Sequence, residues 1–138
     1  GRTPQAMLPH HYGHEVRGLD VLADWNRRMT LPRDWREAAA FIIREHMRAP
    51  RLTKAGKIVK LLLAAVKVPL PFSAFLAVLR ADHGDLPAYL VHGEEIAAEL
   101  LRISGHAAPP GLAGKEIADW LLAQRVRRLR DLLRQKTR

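Results

Sequence analysis

The sequence predicts an all-α fold, on two observations. Leucine occurs 21 times and alanine 20 times, against 18 Val, Ile and Thr together. Leu and Ala lose little freedom on entering a helix, whereas β-branched residues are stiff at χ1 and fit strands better. Apolar residues also recur at intervals of three and four along most of the chain, which puts them on one side of a helix. At 138 residues and 15.6 kDa the chain is long enough for one domain with a core and too short for two comfortable ones.

Taken in order, residues 1–13 read as an extended lead-in punctuated by Pro4, Pro9 and Gly13. The spacing of Leu19, Leu22, Ala23 and Met29 predicts a helix over about 14–29. Pro32 suits the first turn of a second helix, which runs to about Arg48 with Trp35, Ala38, Ala39, Ile42 and His46 on one face. Pro50 ends it. Thr53 is the expected N-cap of a third helix carrying Ile58, Leu61, Leu62 and Ala65. Two prolines, Pro69 and Pro71, stiffen the connector to a fourth, with Phe72, Phe75, Leu76, Leu79 and Asp82 on its stripe. A fifth lies between Pro87 and Ser104, with Gly105 as the expected C′ residue. The last starts near Lys115, with Ala118, Leu122, Val126, Leu129 and Leu133 as its stripe. There is no internal repeat and no heptad seam long enough for a coiled coil.

Composition narrows the function classes. Without cysteine there is no disulfide framework, thiolate zinc site or cysteine nucleophile, and the composition fits a reducing, cytoplasmic setting. The longest apolar run, 58–68, is interrupted by Lys60 and Lys67 and falls far short of the roughly 20 residues of a membrane span. The only serines, Ser73 and Ser104, lie outside any GxSxG elbow, and no P-loop or GxGxxG is present. The formal charge of +9, with a pI near 10.8, has two readings, contact with phosphate backbones and an arginine-rich proteome, of which the first is favoured.

Among the seven histidines, His10, His11 and His14 form an HHxxH cluster without an HExxH pattern. His46 and Asp82 each continue the apolar stripe of a helix, and so are expected to point inward. A buried carboxylate needs a partner, and a histidine supplies one directly or through a metal. The alternative is that both lie in last helical turns and reach solvent. Residues 115–138 carry eight Lys or Arg against three Asp or Glu, with Lys115, Arg125, Arg128 and Arg134 as candidate phosphate contacts or as a solvated face.

The stretch LPHHYGHEVRG, residues 8–18, resembles a segment of the HD-type domain in bacterial tRNA nucleotidyltransferases, the CCA-adding enzymes. Gly1, Arg2, Thr3 and Pro4 resemble the tail of that family's HDxGKG.TP motif, cut just after its His-Asp pair. Glu45, His46 and Met47, the Lys57-Ile58-Val59-Lys60 segment, Ala81 with Asp82, and Gly114, Glu116, Ile117, Leu121 and Arg125 resemble later motifs of the family in the same order. The resemblance covers nearly the whole chain. It implies a single partial HD-like helical bundle of five to seven helices over 1–138, lacking its first helices, with a basic C-terminal helix over 115–138. It also implies a degenerate metal site of His14, His46 and Asp82, with His11 beside it, binding Mg, Ni, Mn or Zn weakly. The implied role is tRNA binding and scaffolding of CCA addition beside a separate N-terminal catalytic domain, with no nucleotide addition by this chain alone. The alternatives are a metal-dependent HD phosphohydrolase, or a protein-interaction module that forms a homodimer through an uncovered apolar face.

Overall fold

A computed structural model describes residues 32–136 of the chain, so the lead-in and the helix expected over about 14–29 lie outside the described residues. Among the described residues the fold is all-α, with six α-helices and no strand. They are α1 (Pro32–Glu45), α2 (Ala55–Lys67), α3 (Phe72–His83), α4 (Ala88–Val91), α5 (Gly93–Leu101) and α6 (Gly114–Lys136). Short 3-10 turns at Ala49–Arg51 and Gly105–Ala107 link α1 to α2 and α5 to α6.

Helix α2 is the axis of the core. Ile58, Val59, Leu61, Leu62 and Ala65 are all buried, and the helix packs against both α5 and α6. Opposite it α5 buries Ile96, Ala97 and Leu100, and α6 buries Leu129 and Leu132. The aromatic end of the core joins α1 to α3: the Phe41 and Phe75 rings lie 5.0 Å apart, and Phe72 meets Phe75 edge-on at 6.2 Å. Such geometry adds about 0.5–1.5 kcal/mol per pair beyond area burial.

Two glycines are required by geometry. Gly84 closes α3 with φ 78°, a conformation that an L side chain resists, and its N–H bonds the Arg80 carbonyl at 2.9 Å. Gly93 starts α5 where a Cβ would lie 2.5 Å from Phe72 Cζ and 2.9 Å from Leu62 Cδ2, so the three elements approach this closely only without one.

Tyr89 braces the turn after α1 to α4. Its hydroxyl donates to the Ala49 carbonyl and accepts from the Leu52 N–H at 3.1 Å. Burial of the ring raises the phenol above its ordinary value, partly offset by the Leu52 bond.

The structure corrects several expected details. The buried face of α1 centres on Ala38, Phe41 and Glu45, while Ala39 is exposed, because Phe41 takes the inward position. The N-cap position of α2 is Lys54, not Thr53, and no side chain caps it. The single helix expected between Pro87 and Ser104 is broken at His92 into α4 and α5. Helix α5 ends at Leu101, so Gly105 is not its terminator; Ser104 instead caps the following turn, its Oγ accepting from the His106 N–H. On α6 the inward residues are Leu129 and Leu132, Leu122, Val126 and Leu133 are partly buried, and Ala118 is exposed. The helix is rolled so that Arg125 and Arg128 lie against α5.

Candidate functional site

The end of α1 and the last turn of α3 bring two of the sequence candidates together. His46 Nδ1 and Asp82 Oδ2 are 3.0 Å apart, across 36 positions of sequence. A carboxylate only accepts, so Nδ1 carries the hydrogen and donates it to Asp82. The neighbouring His83 donates from Nε2 to the His46 carbonyl at 2.7 Å, locking α3 against the chain that leaves α1.

The inward orientation expected for this pair is not what the structure shows. The His46 side chain is 32% exposed and that of Asp82 43%, so the two meet at the surface. The physical reason lies in the helix ends: His46 stands just beyond Glu45, the last residue of α1, and Asp82 is the penultimate residue of α3. The buried carboxylate of this region is instead Glu45, at 5% exposure. Its oxygens accept from Arg44 Nε at 3.0 Å and Arg48 Nε at 2.5 Å, so arginines rather than a histidine compensate it. Packing, rather than the sequence pattern, decides that Glu45 is buried and Asp82 is not.

Among the described residues no three His, Asp or Glu side chains come together as a metal-binding group. The pair of His46 and Asp82 offers two donors, where a catalytic zinc site takes three from the protein. The described residues alone therefore do not make up a three-ligand metal site. His11 and His14 lie outside the described residues.

The C-terminal helix divides its cations into two groups. Arg125 donates from Nε to the Leu100 carbonyl at 3.1 Å and from Nη2 to the Ile103 carbonyl at 3.0 Å. It thereby donates to one carbonyl in the last turn of α5 and to one in the segment just beyond it. Arg128 Nη2 reaches Glu99 Oε1 at 2.9 Å, Lys136 Nζ reaches Glu95 Oε2 at 3.0 Å, and Arg134 lies 3.5 Å from Asp131. These bonds hold Glu99 below its ordinary value, through Arg128 first and Arg102 second, and hold Glu95 down through Lys136.

Lys115, Arg127 and Arg130 are exposed and have no partner among the described residues. Arg127 and Arg130 flank a shallow groove over Leu122, Ala123 and Val126, which Asp119 and Asp131 also line. They were not singled out from sequence, although their spacing of three beside the Leu122 and Val126 positions is the signal that finds them.

No helix among the described residues is long and apolar enough to cross a membrane. No family model and no solved structure matches the chain. Curated proteins do match it. The chain is 34% identical over 124 residues to a multifunctional CCA protein of Paraburkholderia phytofirmans, a match covering 85% of this chain and 30% of that protein. It is 37% identical over 87 residues to one from an Azoarcus species, covering 60% of this chain and 21% of that protein. A third, from Nitrosococcus oceani, is 29% identical over 95% of this chain and 35% of its own length. The chain thus spans about a third or less of the curated relatives it matches.

Proposed function

We propose that this chain, homologous to the C-terminal region of a CCA-adding enzyme, is the helical part of such an enzyme that holds tRNA by its phosphate backbone and scaffolds the region that adds nucleotides. The homology to multifunctional CCA proteins supports the parent activity, and tRNA is the polyanion that activity requires. Nucleotide addition itself is assigned to the remaining length of the parent protein.

The observation that carries the binding role is the pair of exposed, unpartnered arginines on α6, Arg127 and Arg130, with Lys115 at the start of the same helix. Of the other cations read from sequence, Arg125 and Arg128 fasten α6 to α5 and the segment after it, and Arg134 pairs with Asp131 within α6. Arginine contacts of this kind position a nucleic acid without reading its sequence.

Binding of a tRNA acceptor minihelix by the 138-residue chain, followed at several salt concentrations, tests the proposal. The logarithm of the affinity should fall linearly with the logarithm of salt, and Arg127→Gln with Arg130→Gln should reduce that slope by about 2. Absence of binding at low salt, or affinity indifferent to salt, would overturn it.

A further inference from the structure

The positive charge of this protein is not spread over its surface. Between Glu45 and Asp82 lie 36 residues without one Asp or Glu, and they carry seven Lys or Arg. On either side the described chain is neutral: residues 32–45 hold three charges of each sign and residues 82–136 hold eight of each. The whole formal excess of the described residues therefore resides in 46–81, in the sequence around α2 rather than in the arginine-rich last helix.

The fold gives that segment a direction. One side of α2 is buried through Ile58, Leu61, Leu62 and Ala65. At 100° per residue, Lys57, Lys60 and Lys67 fall within about 80° of one another on the opposite side, and all three are exposed. Together they form a row about 15 Å long at 1.5 Å per residue. Arg51 and Lys54 are exposed just ahead of it.

None of these five cations has a hydrogen bond or ion pair among the described residues. The contrast with α6 is direct, since its Arg128, Arg134 and Lys136 are paired to Glu99, Asp131 and Glu95. The arrangement also works against the isolated helix. Like charges one turn apart repel, and Lys57 lies in a first turn with no acidic residue, where the helix dipole disfavours a cation. Only Lys67, in the last turn, complements the dipole.

We infer that the outer face of α2, carrying Lys57, Lys60 and Lys67, is a second contact surface for a nucleic-acid phosphate backbone, separate from the α6 arginines. A single-sign row with no internal neutralisation is what counterion release rewards, because each lysine that meets a phosphate frees a condensed cation. The inference rests on the reading that this region engages tRNA, and it adds where a further part of the backbone lies.

The test compares three forms of the 138-residue chain on the same tRNA minihelix, by fluorescence anisotropy between 50 and 200 mM salt, a range in which such contacts are sensitive. They are the unaltered protein, Lys57→Gln/Lys60→Gln/Lys67→Gln, and Arg127→Gln/Arg130→Gln. The α2 triple variant should bind roughly tenfold or more weakly at the low-salt end, with a salt slope reduced by about 2 to 3. Its circular dichroism should be unchanged and its thermal midpoint equal or higher, since the repulsion within the row is relieved, and Lys→Arg at the same three positions should keep the slope. If the triple variant binds as the unaltered protein does while the α6 variant weakens, the inference fails and the tRNA reading stands. If the unaltered protein does not bind at low salt, both fail.

Discussion

Arg125 on α6 donates to the Leu100 carbonyl at the end of α5, at 3.1 Å, and its second donor reaches the Ile103 carbonyl just beyond, at 3.0 Å. A helix leaves its last four carbonyls without intrahelical partners, and here a side chain from a distant helix donates to one of them and to a carbonyl of the segment that follows. The same residue was a candidate phosphate contact by sequence, so its two possible roles make opposite predictions.

Replacing Arg125 by Ala should destabilise the fold by about 1.5–3 kcal/mol, the range for hydrogen bonds that involve a charged group. Lysine should recover only part of this, because its ammonium does not present the planar fork that spans two carbonyls. Thermal or urea unfolding of the two variants measures the loss. A variant with native stability but weakened RNA binding would return Arg125 to the interface.

The link between Glu99 and Arg128 predicts how stability responds to acid. Arg128, and after it Arg102, hold the Glu99 carboxyl below its ordinary value of 4.5. A carboxyl depressed in the folded state contributes stability that is fully present above 4.5 and is lost as pH falls from there through its folded value. Glu95, held down mainly by Lys136, acts in the same direction. Unfolding followed between pH 6 and pH 3 should therefore show a decline below about 4.5 that is shallower in Glu99→Gln. Equal slopes for the two proteins would show that the contact does not persist in solution.

Gly93 makes a packing prediction. Its absent Cβ leaves room for Phe72 and Leu62, whose nearest atoms would stand 2.5 and 2.9 Å from it. Gly93→Ala improves helix propensity by up to about 1 kcal/mol at an interior position, yet overpacking costs typically about 1–3 kcal/mol. The overpacking dominates because Leu62 is fully buried and Phe72 nearly so, leaving no room to recoil. The variant should unfold at a lower temperature than the unaltered protein. The same exchange at Gly56, where a Cβ meets nothing within 4 Å, should be neutral or stabilising.

Where the sequence is readable follows from its apolar pattern. Helix α2 is legible because Ile58, Leu61, Leu62 and Ala65 leave one possible inward side, and all four are buried. In α1 three consecutive apolar residues, Phe41, Ile42 and Ile43, make the face ambiguous by one position, and packing selects Phe41 while leaving Ile43 73% exposed. The doublet Leu132 and Leu133 creates the same ambiguity on α6, where Leu132 takes the inward place. The role of Arg125 was not legible at all, since it depends on where α5 ends 24 residues earlier. The contact between His46 and Asp82 was legible as two residues continuing two helix stripes. Its exposure was not, because it depends on how each helix terminates.

That exposure decides the last prediction. A surface contact between side chains that are 32% and 43% exposed is worth at most about 1 kcal/mol. Asp82→Asn should therefore leave stability nearly unchanged, whereas a buried pair would lose about 3–5 kcal/mol on removal of one partner. The same substitution probes catalysis. With two donors at this position, the chain should not turn over a colorimetric phosphodiester substrate in the presence of added Ni or Mg. Clear metal-dependent turnover that disappears in both His46→Gln and Asp82→Asn would overturn this, and would establish that ligands from outside residues 32–136 complete the site.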